Sequence, residues 1–179
     1  MNQEVYIWGR NEGSGLGLEH KNDIHLPEKV NLSLLSKFRK YSLEVMRIIR
    51  SDVKDVSYNI RHSLLLTHDG ELYSSGSNGS GQLGVGNYED SDIYQKVDLP
   101  NVRKFVAGNS WSLAITHTNK LYIWGHGYGL GFKYKCCLPQ ITSIENVKDI
   151  IYVDYNLTLI TTWLGDLYYL GSWYEKEYS

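Results

Sequence analysis

The chain has 179 residues and a formal net charge of −2, long enough for a domain with its own core and too balanced for a bulk pull toward nucleic acid. Fifteen Tyr, seventeen Gly and three Pro point to an all-β protein of short strands and tight turns. There is no 18-residue apolar run, no basic-then-apolar leader at Met1-Asn2-Gln3-Glu4 and no disulfide framework from Cys136-Cys137, so a cytoplasmic or nuclear location without a membrane span is expected.

In chain order, the first element is Glu4-Val5-Tyr6-Ile7-Trp8-Gly9, which leads into a Gly-rich run ending at Gly17. Residues 31–52 follow as an insertion. Within it Leu35, Phe38, Val45 and Ile49 keep helical spacing, with Lys37, Arg39, Lys40, Arg47 and Arg50 on or beside the other face. The pattern predicts one short amphipathic helix near 34–50; a strand with a long loop is the alternative. Residues 31–55 hold six Lys or Arg against three Asp or Glu, a solvated face rather than a nucleic-acid patch.

Three successive segments then predict one compact sheet. Residues 53–58 form a first strand and His62-Ser63-Leu64-Leu65-Leu66-Thr67 a second. Asp69-Gly70 marks a two-residue hairpin turn of the primed type, where positive φ favours Gly or Asn. Glu71-Leu72-Tyr73-Ser74-Ser75-Gly76 is the return strand, and a Gly-rich stretch runs on to Gly84. The same order returns with residues 102–107, Trp111 to Thr116, Thr118-Asn119 and Lys120 to Gly125. It returns again with residues 147–153, Leu157 to Thr162, Leu164-Gly165 and Asp166 to Gly171. The strands are nearly continuous in apolar residues, as sheets covered on both faces require.

The spacing is regular. The Tyr-containing strand ends in Gly9, Gly76, Gly125 and Gly171, at intervals of 67, 49 and 46 residues. From His62 to Tyr73, from Trp111 to Tyr122 and from Leu157 to Tyr168 the distance is 11 each time. A period near 50 belongs to propeller blades. The units fall at about 1–30, 53–100, 101–146 and 147–173 of one repeat domain spanning 1–179.

The run His62-Ser63-Leu64-Leu65-Leu66-Thr67, Asp69-Gly70-Glu71-Leu72-Tyr73, Gly76-Ser77-Asn78 and Gly81-Gln82-Leu83-Gly84 resembles the regulator of chromosome condensation repeat. The resemblance extends from Val5 to about Trp173. It implies a partial β-propeller of antiparallel, blade-like sheets, about three and a half repeats long. It also implies a protein-interaction module without catalysis of its own. The alternative it implies is a guanine-nucleotide exchange factor or regulator of a Ran-like small GTPase, working by tighter binding to the nucleotide-free state. Open blade edges imply self-association or a second polypeptide.

Candidate sites are few. The Gly-rich runs lack the Lys-Ser or Lys-Thr of a phosphate loop. Cys136-Cys137 lacks zinc-ligand spacing. His62 is replaced by Trp111 and Leu157 in the later units, which argues for packing over catalysis. A hydrolase would need paired carboxylates, yet Lys120 stands where Glu4, Glu71 and Asp166 recur. No catalytic, cofactor or metal residue is assigned. Residues before each hairpin vary between units and lie in loops, where propellers bind partners. Arg61, Trp111 and Tyr155 are the contact candidates there, being of hot-spot type.

Overall fold

The computed structural model describes residues 6–9, 24–29, 53–99, 101–126, 135–154 and 157–171. Its strands are β1 (Tyr6–Gly9), β2 (Ile24–Lys29), β3 (Val53–Tyr58), β4 (His62–Thr67), β5 (Leu72–Gly76), β6 (Ser91–Val97) and β7 (Val102–Ala107). They continue as β8 (Trp111–Thr116), β9 (Leu121–Gly125), β10 (Cys136–Ile141), β11 (Val147–Asp154), β12 (Leu157–Thr162) and β13 (Leu167–Gly171). Two four-stranded sheets, β3-β4-β5-β6 and β7-β8-β9-β10, are followed by a three-stranded sheet, β11-β12-β13; β1 and β2 pair separately. Every pairing is antiparallel. The described residues contain no helix, and the helix expected near 34–50 lies outside them.

The repeat seen in the sequence is a repeat in register. Leu65 faces Tyr73, Ala114 faces Tyr122 and Ile160 faces Tyr168 across the β4–β5, β8–β9 and β12–β13 pairs. Leu64 and Leu113 likewise take the same place, opposite Ser74 and Ile123. Even β1–β2 keeps the pattern, since Tyr6 pairs with Lys29 as Tyr73 pairs with Lys96. The fourth strand of each full sheet escaped the sequence reading. β6 and β10 are only partly buried, so they show no apolar run.

The hairpin turn differs from the two-residue primed turn. Gly70 N donates to Thr67 O at 3.0 Å and Thr67 N donates to Glu71 O at 3.0 Å, which closes a three-residue loop. Only the third loop residue has positive φ: Gly70 at 79°, Asn119 at 60° and Gly165 at 92°. This is a type I turn followed by a left-handed residue, whose bulge matches the strand twist as a primed turn would. The same bonds recur at Asn119 and Gly165, with Thr116 and Thr162 as partners.

Side chains from neighbouring sheets fill the space between them. Leu64, Leu66 and Leu72 of the first full sheet meet Phe105, Ala107, Ala114 and Trp124 of the second. On its other face the second sheet offers Val106, Leu113, Ile115, Leu121 and Ile123, which meet Val147, Ile150 and Ile160 of the third. Both faces of β8 are therefore used, and all six of its residues are buried. The sheets are also stitched through their backbones. Val102 N donates to Gly70 O at 3.2 Å, and Val147 N donates to Asn119 O at 3.0 Å. Arg103 reinforces the second seam, its Nη2 donating to Val147 O at 2.7 Å and Lys148 O at 3.0 Å.

The glycine that ends each Tyr strand has a steric reason. Gly76 has φ 115° and Gly125 has φ 95°. A Cβ on them would lie 2.5 Å from Arg61 O and 2.4 Å from Ser110 O. The following residues use those same carbonyls, Ser77 N donating to Arg61 O and His126 N to Ser110 O. The loop before each hairpin is thereby clamped to the strand end.

Candidate functional site

The prehairpin loops gather at one end of the sheets. In the first, Asn59 N donates to His62 O at 3.0 Å; in the second, Gly108 N donates to Trp111 O at 2.9 Å. The two loops thus share one turn. Asn59 links the sheets, its Nδ2 reaching Ala107 O at 3.4 Å and Tyr152 Oη at 3.2 Å. Arg61 lies at the tip of the first loop with its side chain exposed. Asn109 and Ser110, in the second loop, are half-buried.

Trp111 does not belong to this exposed set. It is 6% exposed, is part of the core between the second and third sheets, and lies 6.0 Å from the Tyr152 ring at a 58° tilt. Its placement starts a strand whose six residues all point into covered space, so its indole packs rather than reaches out. Tyr155 lies outside the described residues. Of the three candidates, Arg61 is the one that the structure places at an accessible position.

Beneath the loops is a buried polar chain. His62 Nε2 lies 2.7 Å from Ser112 Oγ, across the seam between the first two full sheets. Ser112 Oγ donates its single hydrogen to Gln82 O at 2.8 Å, and Trp124 Nε1 donates to the same carbonyl at 2.8 Å. His62 Nε2 must then be the donor to Ser112, which leaves Nδ1 without a hydrogen. Nδ1 is buried and meets no partner among the described residues. Burial pushes the His62 pKa down from 6.5 to about 3, so the ring is neutral. This histidine ties sheets together and has no access to a substrate.

The Gly-rich stretch after β5 is also occupied by its own bonds. The fully buried Asn78 sends Nδ2 to Asn87 O at 2.9 Å and accepts Leu83 N on Oδ1 at 2.9 Å. Asn78 N goes to Asp90 Oδ1, Ser80 N to Gln82 Oε1 and Gly81 N to Asn78 O. The amides of Ser77, Asn78, Ser80, Gly81, Leu83 and Gly84 are thus already bound within the chain. Asn78, Gln82 and Ser112 were not singled out as site residues; the only trace of the first two was their place in the Gly76–Gly84 run. Among the described residues there is no group of three His, Cys, Asp or Glu able to hold a metal, and Cys136 and Cys137 are free and half-buried.

A charged seam runs along the first strands of the second and third sheets. Lys104 Nζ pairs with Asp149, beside the Arg103 clasp. Burial works to raise the Asp149 pKa. The hydrogen bonds from Lys104 and Ile150 N and the nearby Arg103 outweigh it and hold the carboxyl below its usual value.

The third sheet carries a difference that is open to test. Thr158 is the counterpart of Ser112, and Trp111 is the counterpart of His62. Where His62 bonds Ser112, Trp111 offers no such partner, and the buried Thr158 Oγ1 is unpaired among the described residues. Thr158→Val is expected to leave stability unchanged or raise it by up to about 1 kcal/mol. Ser112→Ala is expected to lower it by about 1–3 kcal/mol, because it strands the His62 donor. Urea unfolding of both variants checks this, and equal losses would contradict it.

Two sequence profiles described as "Regulator of chromosome condensation (RCC1) repeat" match residues 53–82 and 69–115. Residues 53–115 belong to the regulator of chromosome condensation repeat family. It is 39% identical to the ultraviolet-B receptor UVR8 of Arabidopsis thaliana, over 80% of this chain and 43% of that protein. It is 27% identical to the X-linked retinitis pigmentosa GTPase regulator of Mus musculus, over 80% of this chain and 14% of that protein. Its fold superposes on the crystal structure of Prp20p from Saccharomyces cerevisiae with a TM-score of 0.64 at 19% identity, covering 94% of this chain and 39% of Prp20p. The chain thus spans less than half the length of each of these relatives. The sheets are blades of this family's repeat, and the described strands form part of a β-propeller.

Proposed function

We propose that this chain is a protein-interaction module that binds partners through the loop end of its blades and performs no chemistry of its own. The observation that supports this is how the polar groups are spent. His62, Ser112, Gln82, Asn78 and Arg103 all bind within or between blades, while the prehairpin loop leaves Arg61 exposed at a rigidly clamped position. A charged, preorganised loop side chain suits recognition, since little is lost in ordering it. The relatives agree in kind: Prp20p is described by its binding properties to Gsp1p and histones. On this reading residues 1–179 form one repeat domain, with units at about 1–30, 53–100, 101–146 and 147–173. Arg61 and Tyr155 are its contact residues, while Trp111 packs in the core between the second and third sheets. No helix among the described residues is long and apolar enough to cross a membrane. Work in the nucleus or cytoplasm is part of the proposal.

The partner class best supported is a small GTPase, on the strength of a relative named as a GTPase regulator. A pull-down of the full chain against a Ran-like GTPase, nucleotide-free, GDP-bound and GTP-bound, tests it. Arg61→Glu is expected to weaken capture about tenfold or more without changing the melting temperature, the size of effect of a loop hot spot. Capture indifferent to Arg61 contradicts the loop-end site. The narrower reading, nucleotide exchange, predicts accelerated release of bound GDP; binding without acceleration excludes it. Self-association also belongs to this proposal, since β13 has one strand neighbour among the described residues where β5 and β9 have two.

A further inference from the structure

One side chain ties three sheets together behind Arg61. Asn59 opens the first prehairpin loop and is 8% exposed. Its Oδ1 accepts the Ile60 N–H at 2.6 Å, inside the loop. One Nδ2 hydrogen goes to Ala107 O, at the end of β7, at 3.4 Å; the other goes to Tyr152 Oη, on β11, at 3.2 Å. The carboxamide is therefore spent on the first, second and third full sheets at once. Its backbone partners fix its orientation, since the Ile60 N–H needs the oxygen and the Ala107 carbonyl needs the nitrogen.

Tyr152 is held in turn. Its ring lies 6.0 Å from that of Trp111 at a 58° tilt, and Trp111 is packed in the core between the second and third sheets. The other prehairpin loops carry no such tether. Gly108 and Asp154 stand where the first loop has Asn59, and neither has a carboxamide. At Gly108 a Cβ would lie 2.2 Å from the Trp111 ring, so the indole that backs Tyr152 also excludes a side chain from the start of the second loop.

We infer that Tyr152 is a positioning residue for the Arg61 contact site and acts through Asn59. Arg61 follows Ile60 directly, and its carbonyl is clamped by Ser77 N at 2.8 Å. That clamp fixes the loop from the strand end, and Asn59 fixes it from the start. A loop held on both sides confines the Arg61 backbone, which lowers the ordering cost of binding. Because the second hold comes from β11, the contact site on the first full sheet depends on the third. The inference rests on the loop-end reading proposed above and adds a residue that sets its geometry.

Tyr152→Phe tests it. Tyr152 is 36% exposed, so losing the hydroxyl opens no core cavity, and the ring stays against Trp111. The first readout is amide hydrogen exchange of the full chain. The Ile60 N–H, bonded to Asn59 Oδ1, should exchange about three- to tenfold faster, the effect of losing one neutral hydrogen bond. The Val102 N–H, bonded to Gly70 O at the far end of the seam, should exchange as in the parent. An unchanged Ile60 overturns the inference. So does an equal rise at both amides, which a merely structural role would give. The second readout is capture of the nucleotide-free Ran-like GTPase. Tyr152→Phe should weaken it about threefold or more, with no further effect in an Arg61→Ala background. Equal weakening with and without Arg61, or none with it, overturns the role in recognition. A chain that captures no GTPase contradicts the partner proposed above and leaves Ile60 exchange to decide this inference.

Discussion

Leu113→Ala lowers the unfolding free energy by about 2–5 kcal/mol, the range for truncating a buried Leu without collapse of the cavity. Leu113 is at the centre of β8 and fully buried, opposite Ile123. It is part of the cluster that joins the second and third sheets through Val147, Ile150 and Ile160. Ile160 is held by strand ladders on both sides, and Val147 and Ile150 by the β11–β12 ladder, so they resist moving in to fill the space. The equivalent truncation on the third sheet, Leu159→Ala, should cost clearly less in a single copy, because Leu159 is only half-buried. Denaturant unfolding of the two variants at low protein concentration checks the contrast. Equal losses would mean that the third sheet is covered as the second is.

Acid should weaken the fold well above the carboxylate range, and His62 is the cause. Its pKa is about 3 in the folded chain against 6.5 unfolded. Between those two values the unfolded chain takes up a proton that the folded chain refuses. The stability is therefore fully present above pH 6.5 and falls as the pH drops toward 3. The expected loss by pH 5 is ~2 kcal/mol. His62→Gln, whose amide can still donate toward Ser112, should flatten the profile between pH 7 and 5. Asp149 works in the same direction but lower. Its depressed pKa contributes stability present above the unfolded carboxylate value and lost as the pH falls through the folded one. The two groups are thus separable by pH window. A parent profile that stays flat from pH 7 to 5 would contradict the buried, neutral histidine.

Much of the fold was legible because its units repeat. The 11-residue distance from His62 to Tyr73, kept at Trp111 and Leu157, pins hairpin register, and a one-residue slip would have turned every side chain to the wrong face. Near-continuous apolar strands correctly signalled sheets covered on both sides for β4 and β8. The signal failed in three places. β12 reads as covered on both faces too, yet only its alternate positions are buried. β6 and β10 carry polar and half-buried residues at a blade's outer edge, so no apolar pattern betrayed them. The turns at Asp69-Gly70 and Thr118-Asn119 hold the expected residue types, yet composition does not distinguish a primed two-residue turn from a type I turn with a bulge. That choice depends on which carbonyl the strand-end N–H reaches, and Thr67 N reaches Glu71 O.

The contact residues divide along the same line. Arg61 and Trp111 sit in matching loops and were equal as residue types, but Trp111 heads a strand squeezed between two sheets and Arg61 ends a loop facing solvent. The swap of His62 for Trp111 and Leu157 was visible in the sequence and rightly pointed to packing. Its consequence, a buried Thr158 hydroxyl without the partner that Ser112 has, appears only when the sheets are stacked. By itself the sequence determined the repeat, the strand register and the absence of a phosphate-loop motif, because these follow from local spacing and turn chemistry. Only the tertiary structure decided which face of each blade is covered, since coverage depends on what the neighbouring sheet brings. Leu72, Leu121 and Leu167 are the same residue at the same repeat position, yet among the described residues a neighbouring sheet covers the first two and not the third.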